Sequence, residues 1–153
     1  SACVHTQPNA GHALLADECE QLTKDISTLA NGSLCYQDNA EASRYFNDLS
    51  RILQFNHPKT DQCRQQARRS PNPNRTVRPH NSDLGKLCAD TRDERNRLRR
   101  QVEAFADSKM AEYSAAEAPK RGISAAELLR QTRAEEAARR ARVDAAIRRI
   151  EGR

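Results

Sequence analysis

Four cysteines carry the most informative chemistry in the chain: Cys19, Cys35, Cys63 and Cys88. They are separated by 15, 27 and 24 residues, so none forms the close C-x-x-C pair that a zinc site takes from a single loop. An even number of widely spaced cysteines suits two disulfides, each closing a long loop, where a crosslink removes the most chain entropy. Disulfides persist outside the reducing cytosol; reduced, buried cysteines in a cytosolic helical protein are the alternative. Cys63 and His57 are spaced as a nucleophile–base pair could be, but a cysteine held in a disulfide is not a free thiolate. The four histidines, His5, His12, His57 and His80, each fall in or beside a loop or helix end. His5 and His12 stand near Cys3, yet no second pair completes a metal site. There is no G-x-S-x-G, H-E-x-x-H, phosphate-binding glycine loop or dinucleotide fingerprint. The expectation is a protein that is not an enzyme, with no catalytic residue, cofactor or metal.

The fifth cysteine stands apart. Ser1-Ala2-Cys3 resembles the end of a bacterial lipobox, where small residues precede a cysteine that becomes the lipidated first residue of the mature chain. The resemblance covers three residues and the bacterial lipoproteins as a class. It implies lipid attachment at Cys3, export, and a membrane address held by acyl chains. Val4 stands where, in the enterobacterial sorting scheme, an Asp favours inner-membrane retention, which points to the periplasmic face of the outer membrane.

What must position these groups is set by composition. Of 153 residues, 37% are hydrophobic and 4% aromatic, with no Trp and five Gly. So few large rings cannot fill a β-sandwich or a deep substrate cavity, whereas Leu, Ile and Ala suffice for the narrow seams between helices. No strand-like runs occur, and no window approaches the roughly 18 apolar residues of a membrane span. The fold class is all-α: a disulfide-stapled helical hairpin or bundle followed by long charged C-terminal helices.

Residues 1–11 carry no periodicity and read as a tether. Leu15, Cys19, Leu22, Ile26 and Leu29 are spaced four and three apart, which predicts a helix over 12–31 stopped by Asn31-Gly32. A second helix over 39–55 has the stripe Ala42, Tyr45, Phe46, Leu49, Ile52 and Leu53, and His57-Pro58 ends it. The short link between them implies an antiparallel hairpin. Residues 60–69 form a short third helix, and 70–81 a loop with three prolines. A long helix is predicted from Asp83 to about Ala116, packed at its start and projecting later, because its stripe thins to Leu98 among four arginines over 95–100. Pro119 and Gly122 break it. Ser124-Ala-Ala-Glu127 is a capping box opening a last helix to about Ile150. The domain is thus 12–90 and the arm 91–153. A hairpin turning near Gly32–Cys35 sets Cys19 opposite the end of the second helix. That favours Cys19–Cys63 with Cys35–Cys88; adjacent pairing, Cys19–Cys35 with Cys63–Cys88, is the rival.

The last helix is mostly Ala and Arg, with Leu128, Leu129, Val143, Ile147 and Ile150 as its larger apolar residues. It reads as an amphipathic helix docking on a partner or on its own preceding helix, with those five as partner contacts. Glu135–Arg139, Glu136–Arg140 and Asp144–Arg148 are favourable i,i+4 pairs. The closing Ile150-Glu151-Gly152-Arg153 matches the recognition sequence of a clotting protease used to remove purification tags, and no function is attached to it.

Net charge is +5, which raises the question of nucleic acid. Over 82–153 there are 17 Lys and Arg against 13 Asp and Glu, interleaved as in a solvated helix laced with ion pairs. Stacking aromatics and recognition motifs are missing. The acid-free run Arg64, Arg68, Arg69, Arg75 and Arg78 suits contact with an anionic surface: lipid headgroups, lipopolysaccharide phosphate or an acidic partner. The function expected is a non-catalytic, lipid-anchored accessory or structural component of a larger envelope assembly such as a secretion, pilus or transport machine. The alternatives are a basic helical nucleic-acid-binding protein with reduced cysteines and, weaker, a small thiol enzyme.

Overall fold

The computed structural model describes residues 2–67 and 81–152. These form six helices and no strand: α1 (Ala2–Cys35), α2 (Ala40–Phe55), α3 (Pro58–Ala67), α4 (Asn81–Asp90), α5 (Arg92–Arg121) and α6 (Ala125–Glu151). The expected side-chain contacts at Cys3, Arg68, Arg69, Arg75 and Arg78 lie outside the described residues.

The stripe of α1 buries Cys19, Leu22, Ile26 and Leu29 against α2, which returns Tyr45, Phe46, Leu49 and Leu53. Asn39 caps α2, its Oδ1 accepting the Ala42 N–H at 2.9 Å. Two boundaries of α1 differ from the sequence expectation. The helix already runs from Ala2, through the segment read as a tether, since a formed helix propagates at one hydrogen bond per residue. It also continues through Asn31-Gly32 to Cys35. Gly32 does not stop the helix but lets others approach it: a Cβ there would lie 2.8 Å from Phe46 Cδ1 and 3.0 Å from Arg95 Cδ.

His57 links α2 to α3, its Nδ1 accepting the Lys59 N–H at 3.1 Å, with Pro58 opening the new helix. The predicted long helix is interrupted at Thr91, separating α4 from α5. The carbonyl of Cys88, near the end of α4, instead accepts from Arg95 Nη1 at 3.2 Å, so a buried side chain does there what a continuing backbone would. Pro119 sits in the last turn of α5 without ending it; Gly122, at φ 70°, is the left-handed cap. Ser124 caps α6 by accepting the Glu127 N–H at 3.0 Å.

Cys19–Cys63 ties α1 to α3 and Cys35–Cys88 ties the end of α1 to α4, the pairing the hairpin geometry favours. Two such bonds place the folded chain in a non-reducing compartment. They span 44 and 53 residues, and loop-closure entropy gives about 4 kcal/mol each.

The base of the expected arm belongs to the core. Leu98 and Val102 of α5 and Val143, Ala146 and Ile147 of α6 join the cluster built by α1 and α2. Beyond that base, α5 and α6 pack on each other as an antiparallel pair, burying Ser114, Ala118 and Leu128. Four of the five residues expected to meet a partner are therefore engaged within the chain: Leu128, Val143 and Ile147 are buried and Ile150 packs against the core, while Leu129 is half-buried. The cause is that α6 folds back on α5 and α2, so its apolar stripe is covered internally.

Candidate functional site

Tyr45, at the middle of α2, is the centre of an arrangement in which three helices meet. Its ring is buried, with the guanidinium carbons of Arg99 and Arg139 at 5.3 and 5.0 Å from its centroid. Its hydroxyl donates to the Glu103 carboxylate and accepts from Arg140 Nε at 3.1 Å. Burial, and then the bond to Glu103, hold this phenol far above its ordinary 10.0. Arg140 forks onto Asp107 at 2.9 and 3.2 Å and reaches Glu136 at 3.3 Å and Glu103 at 3.6 Å. Burial opposes its charge, but these acids and the Tyr45 oxygen outweigh it and drive its pKa up. Arg99 bridges Glu103 at 2.9 Å and Asp144 at 2.8 Å.

Of the three i,i+4 pairs expected along α6, only Glu136–Arg140 is among these contacts. Arg139 instead reaches Asp48 of α2 at 2.6 Å, and Arg142 forks onto Glu41 at 2.7 and 3.0 Å. Asp144 is taken by Arg99. The arginines of α6 thus clamp it to α2 and α5.

Beside this network lies a groove of about 640 Å³. Leu49 and Ile52 of α2 form one wall, Phe105, Met110 and Tyr113 of α5 another, and α6 closes it from Thr132 to Arg140. Tyr113 is 47% exposed, so the groove opens to solvent. Phe105 and Met110 fall in the stretch that the sequence expected to project, and periodicity gave no groove there. The legible signal was length: the apolar positions of α5 continue past those that α1 and α2 cover.

A second cluster surrounds Arg95, which is only 2% exposed. Its Nε and Nη2 donate to the Tyr36 hydroxyl at 3.2 and 2.9 Å, and Nη1 donates to Thr91 Oγ1 at 3.0 Å and to the Cys88 carbonyl. Tyr36 donates onward to Glu151 at 2.8 Å, and Glu151 also holds Arg92 at 2.9 Å. Glu151, in the segment to which sequence reading attached no role, therefore fastens the end of α6 to the hairpin turn.

A smaller cleft of about 380 Å³ between α1, α5 and the α2–α3 junction holds Asp25 and His57. Burial raises the Asp25 carboxyl, only partly offset by the bond from Gln21 at 2.9 Å, and burial with the nearby Lys59 charge lowers His57. The Nδ1 of His57 is occupied as a helix cap, so it is not poised as a base. Neither Tyr36 nor Tyr45 serves as a phenolate, since both are buried, raised and hydrogen-bonded. Cys63, spaced from His57 as a nucleophile from its base, is bonded to Cys19. Among the described residues, no three His, Cys, Asp or Glu converge to hold a metal, and no helix is long and apolar enough to cross a membrane. Of the anionic-contact residues, Arg64 is described, on the exposed side of α3.

What the fold defines is a small disulfide-stapled helical domain, with ion pairs clamping one helical hairpin onto another. No protein-family model, curated protein or solved structure matches the chain, so its site is read from its own geometry.

Proposed function

We propose that the protein is a non-catalytic interaction component of a bacterial cell envelope. A lipid on Cys3 holds it at the periplasmic face of the outer membrane, where it serves a larger secretion, pilus or transport assembly through α5 and α6. The observation that carries this reading is the pair of disulfides, which staple the domain for a non-reducing compartment. Supporting it, the polar groups of the two clusters are engaged in structural bonds, and the open groove presents apolar side chains. The contact surface is the groove flank of the α5–α6 pair, in place of the stripe that the core covers. The nucleic-acid alternative is one with reduced cysteines, which the bonded cysteines weigh against.

Intact mass spectrometry of protein from its native membrane, with and without reductant, tests the reading. The expected chain carries acyl mass on Cys3 and gains about 4 Da on reduction, as the reductant supplies two electrons and two protons to each disulfide. An unlipidated chain with free thiols would overturn it and make salt-dependent binding to duplex DNA the next measurement.

A further inference from the structure

We propose that Cys35–Cys88 is a redox latch: a protein dithiol reduces it while Cys19–Cys63 stays closed, and α4 then swings away about Thr91. This adds regulation to the interaction reading and does not depend on the lipid anchor.

The two disulfides sit in different surroundings. Cys19 and Cys63 are 7% and 6% exposed, and both belong to the core. Cys35 and Cys88 are half-buried. Exchange begins when a thiolate reaches a disulfide sulfur, so access decides which bond opens first. The attacking thiolate bonds to one sulfur and displaces the other as a thiolate. The second thiol of the reductant then resolves the mixed disulfide. Two electrons and two protons pass to Cys35 and Cys88, and the dithiol leaves as its own disulfide.

The helices that these bonds fasten differ as well. Beyond its disulfide, α3 is held by Cys63 in the core, by Thr60 Oγ1 donating to the Leu53 carbonyl at 2.9 Å, and by Lys59 reaching Glu18 at 3.6 Å. By contrast, α4 puts no described residue into the core: Leu84 and Leu87 are half-buried, and Lys86 bonds Asp90 of the same helix at 2.6 Å. Its 10 residues fall short of the roughly 12–15 that an isolated helix needs in water, and Gly85 weakens it further. The Cys88 carbonyl, on Arg95 Nη1 at 3.2 Å, is its link to a buried side chain. The helix already breaks at Thr91, which places the hinge between α4 and α5. Opening there frees Arg95 Nη1, while Nε and Nη2 keep Tyr36. The open chain thus presents a cation that the latched chain buries.

The test titrates dithiothreitol into the purified, oxidised chain without denaturant, any free Cys3 thiol having been blocked first with N-ethylmaleimide. New thiols are trapped with iodoacetamide and assigned by peptide mass. Cys35 and Cys88 should be labelled at least tenfold faster than Cys19 and Cys63. In the chain halted at that stage, and in the Cys35→Ala/Cys88→Ala double variant, amide hydrogen exchange should rise at least tenfold over 84–90. It should stay slow over 45–53 and 143–147, in the core. Equal labelling of the four cysteines, earlier opening of Cys19–Cys63, unchanged exchange over 84–90, or protection lost throughout the chain overturns the proposal. Any of these leaves the envelope assignment standing, whereas an unlipidated native chain removes the anchor and leaves the latch.

Discussion

Replacing Gly32 and Gly85 by alanine, one at a time, should move stability in opposite directions. Both glycines lie inside helices, where alanine is favoured by about 1 kcal/mol because it confines the unfolded backbone and exposes less peptide. At Gly85 a Cβ meets nothing within 4 Å, so the variant should gain most of that. At Gly32 the new carbon would sit 2.8 Å from Cδ1 and 3.0 Å from Cγ of Phe46, and 3.0 Å from Arg95 Cδ. Neither neighbour is free to yield. Phe46 is fully buried and packed at 5.1 Å from Tyr36 and 6.1 Å from Tyr45, while Arg95 is fixed at its guanidinium by Tyr36, Thr91 and Cys88. Overpacking of this kind costs about 1–3 kcal/mol, which matches or exceeds the helical gain. The net loss is up to about 2 kcal/mol, or up to roughly 8 °C in Tm for a domain of this size. Thermal unfolding followed by circular dichroism, with disulfides intact, reads both. If Gly32→Ala stabilises as much as Gly85→Ala, the close approach of α2 and α5 to α1 does not exist and the packing around Arg95 is misread.

Removing Cys35–Cys88 by a double alanine substitution should lower the unfolding free energy in urea by about 4 kcal/mol; an unchanged midpoint would deny the bond a stabilising role. Arg95→Met keeps the packed stem but orphans the Cys88 carbonyl and removes two donors to Tyr36, so a loss of about 2–4 kcal/mol is expected by the same assay. Glu151→Gln should cost less, because Glu151 is partly exposed and its amide oxygen still accepts from Tyr36. Asp25 gives a pH dependence. Its carboxyl is raised in the folded state chiefly by burial, so its ionisation destabilises the fold as pH rises through the carboxylate range. Asp25→Asn should therefore raise Tm at pH 7, with the advantage vanishing as pH falls below the ordinary 3.8; a constant difference from pH 3 to 7 would show that charge is not the cause.

Periodicity carried the helices well wherever one face is apolar and the other is not. The stripes of α1 and α2 and the cap at Ser124 are local patterns, and they fold as the spacing implies. The disulfide pairing was also legible, because a hairpin leaves few geometries in which four cysteines meet. What local pattern could not supply is the use of one residue by another far along the chain. Gly32 has the composition of a helix stop, and only the arrival of Phe46 and Arg95 turns it into a contact point. Arg95 lies in a run of four arginines that reads as solvated, yet it is buried, because Tyr36 and Glu151 come to it from 59 and 56 positions away.

The same ambiguity explains why α6 looked like a free arm. An acid four residues before an arginine stabilises an isolated helix by only a few tenths of a kcal/mol, so any better-placed acid takes the arginine. Asp48 and Glu41 on α2 do so for Arg139 and Arg142, and Arg99 claims Asp144. A long charged helix is thereby drawn onto a small core that its few apolar residues could not hold alone. Each such clamp sets one acid against one arginine at the α2–α5–α6 junction, while several arginines of α6, among them Arg133, Arg148 and Arg149, remain on its exposed side. Folding thus gathers paired charges around an apolar groove whose lining balances Asp48, Glu112 and Glu136 with Lys109, Arg139 and Arg140, an arrangement that net charge alone does not reveal.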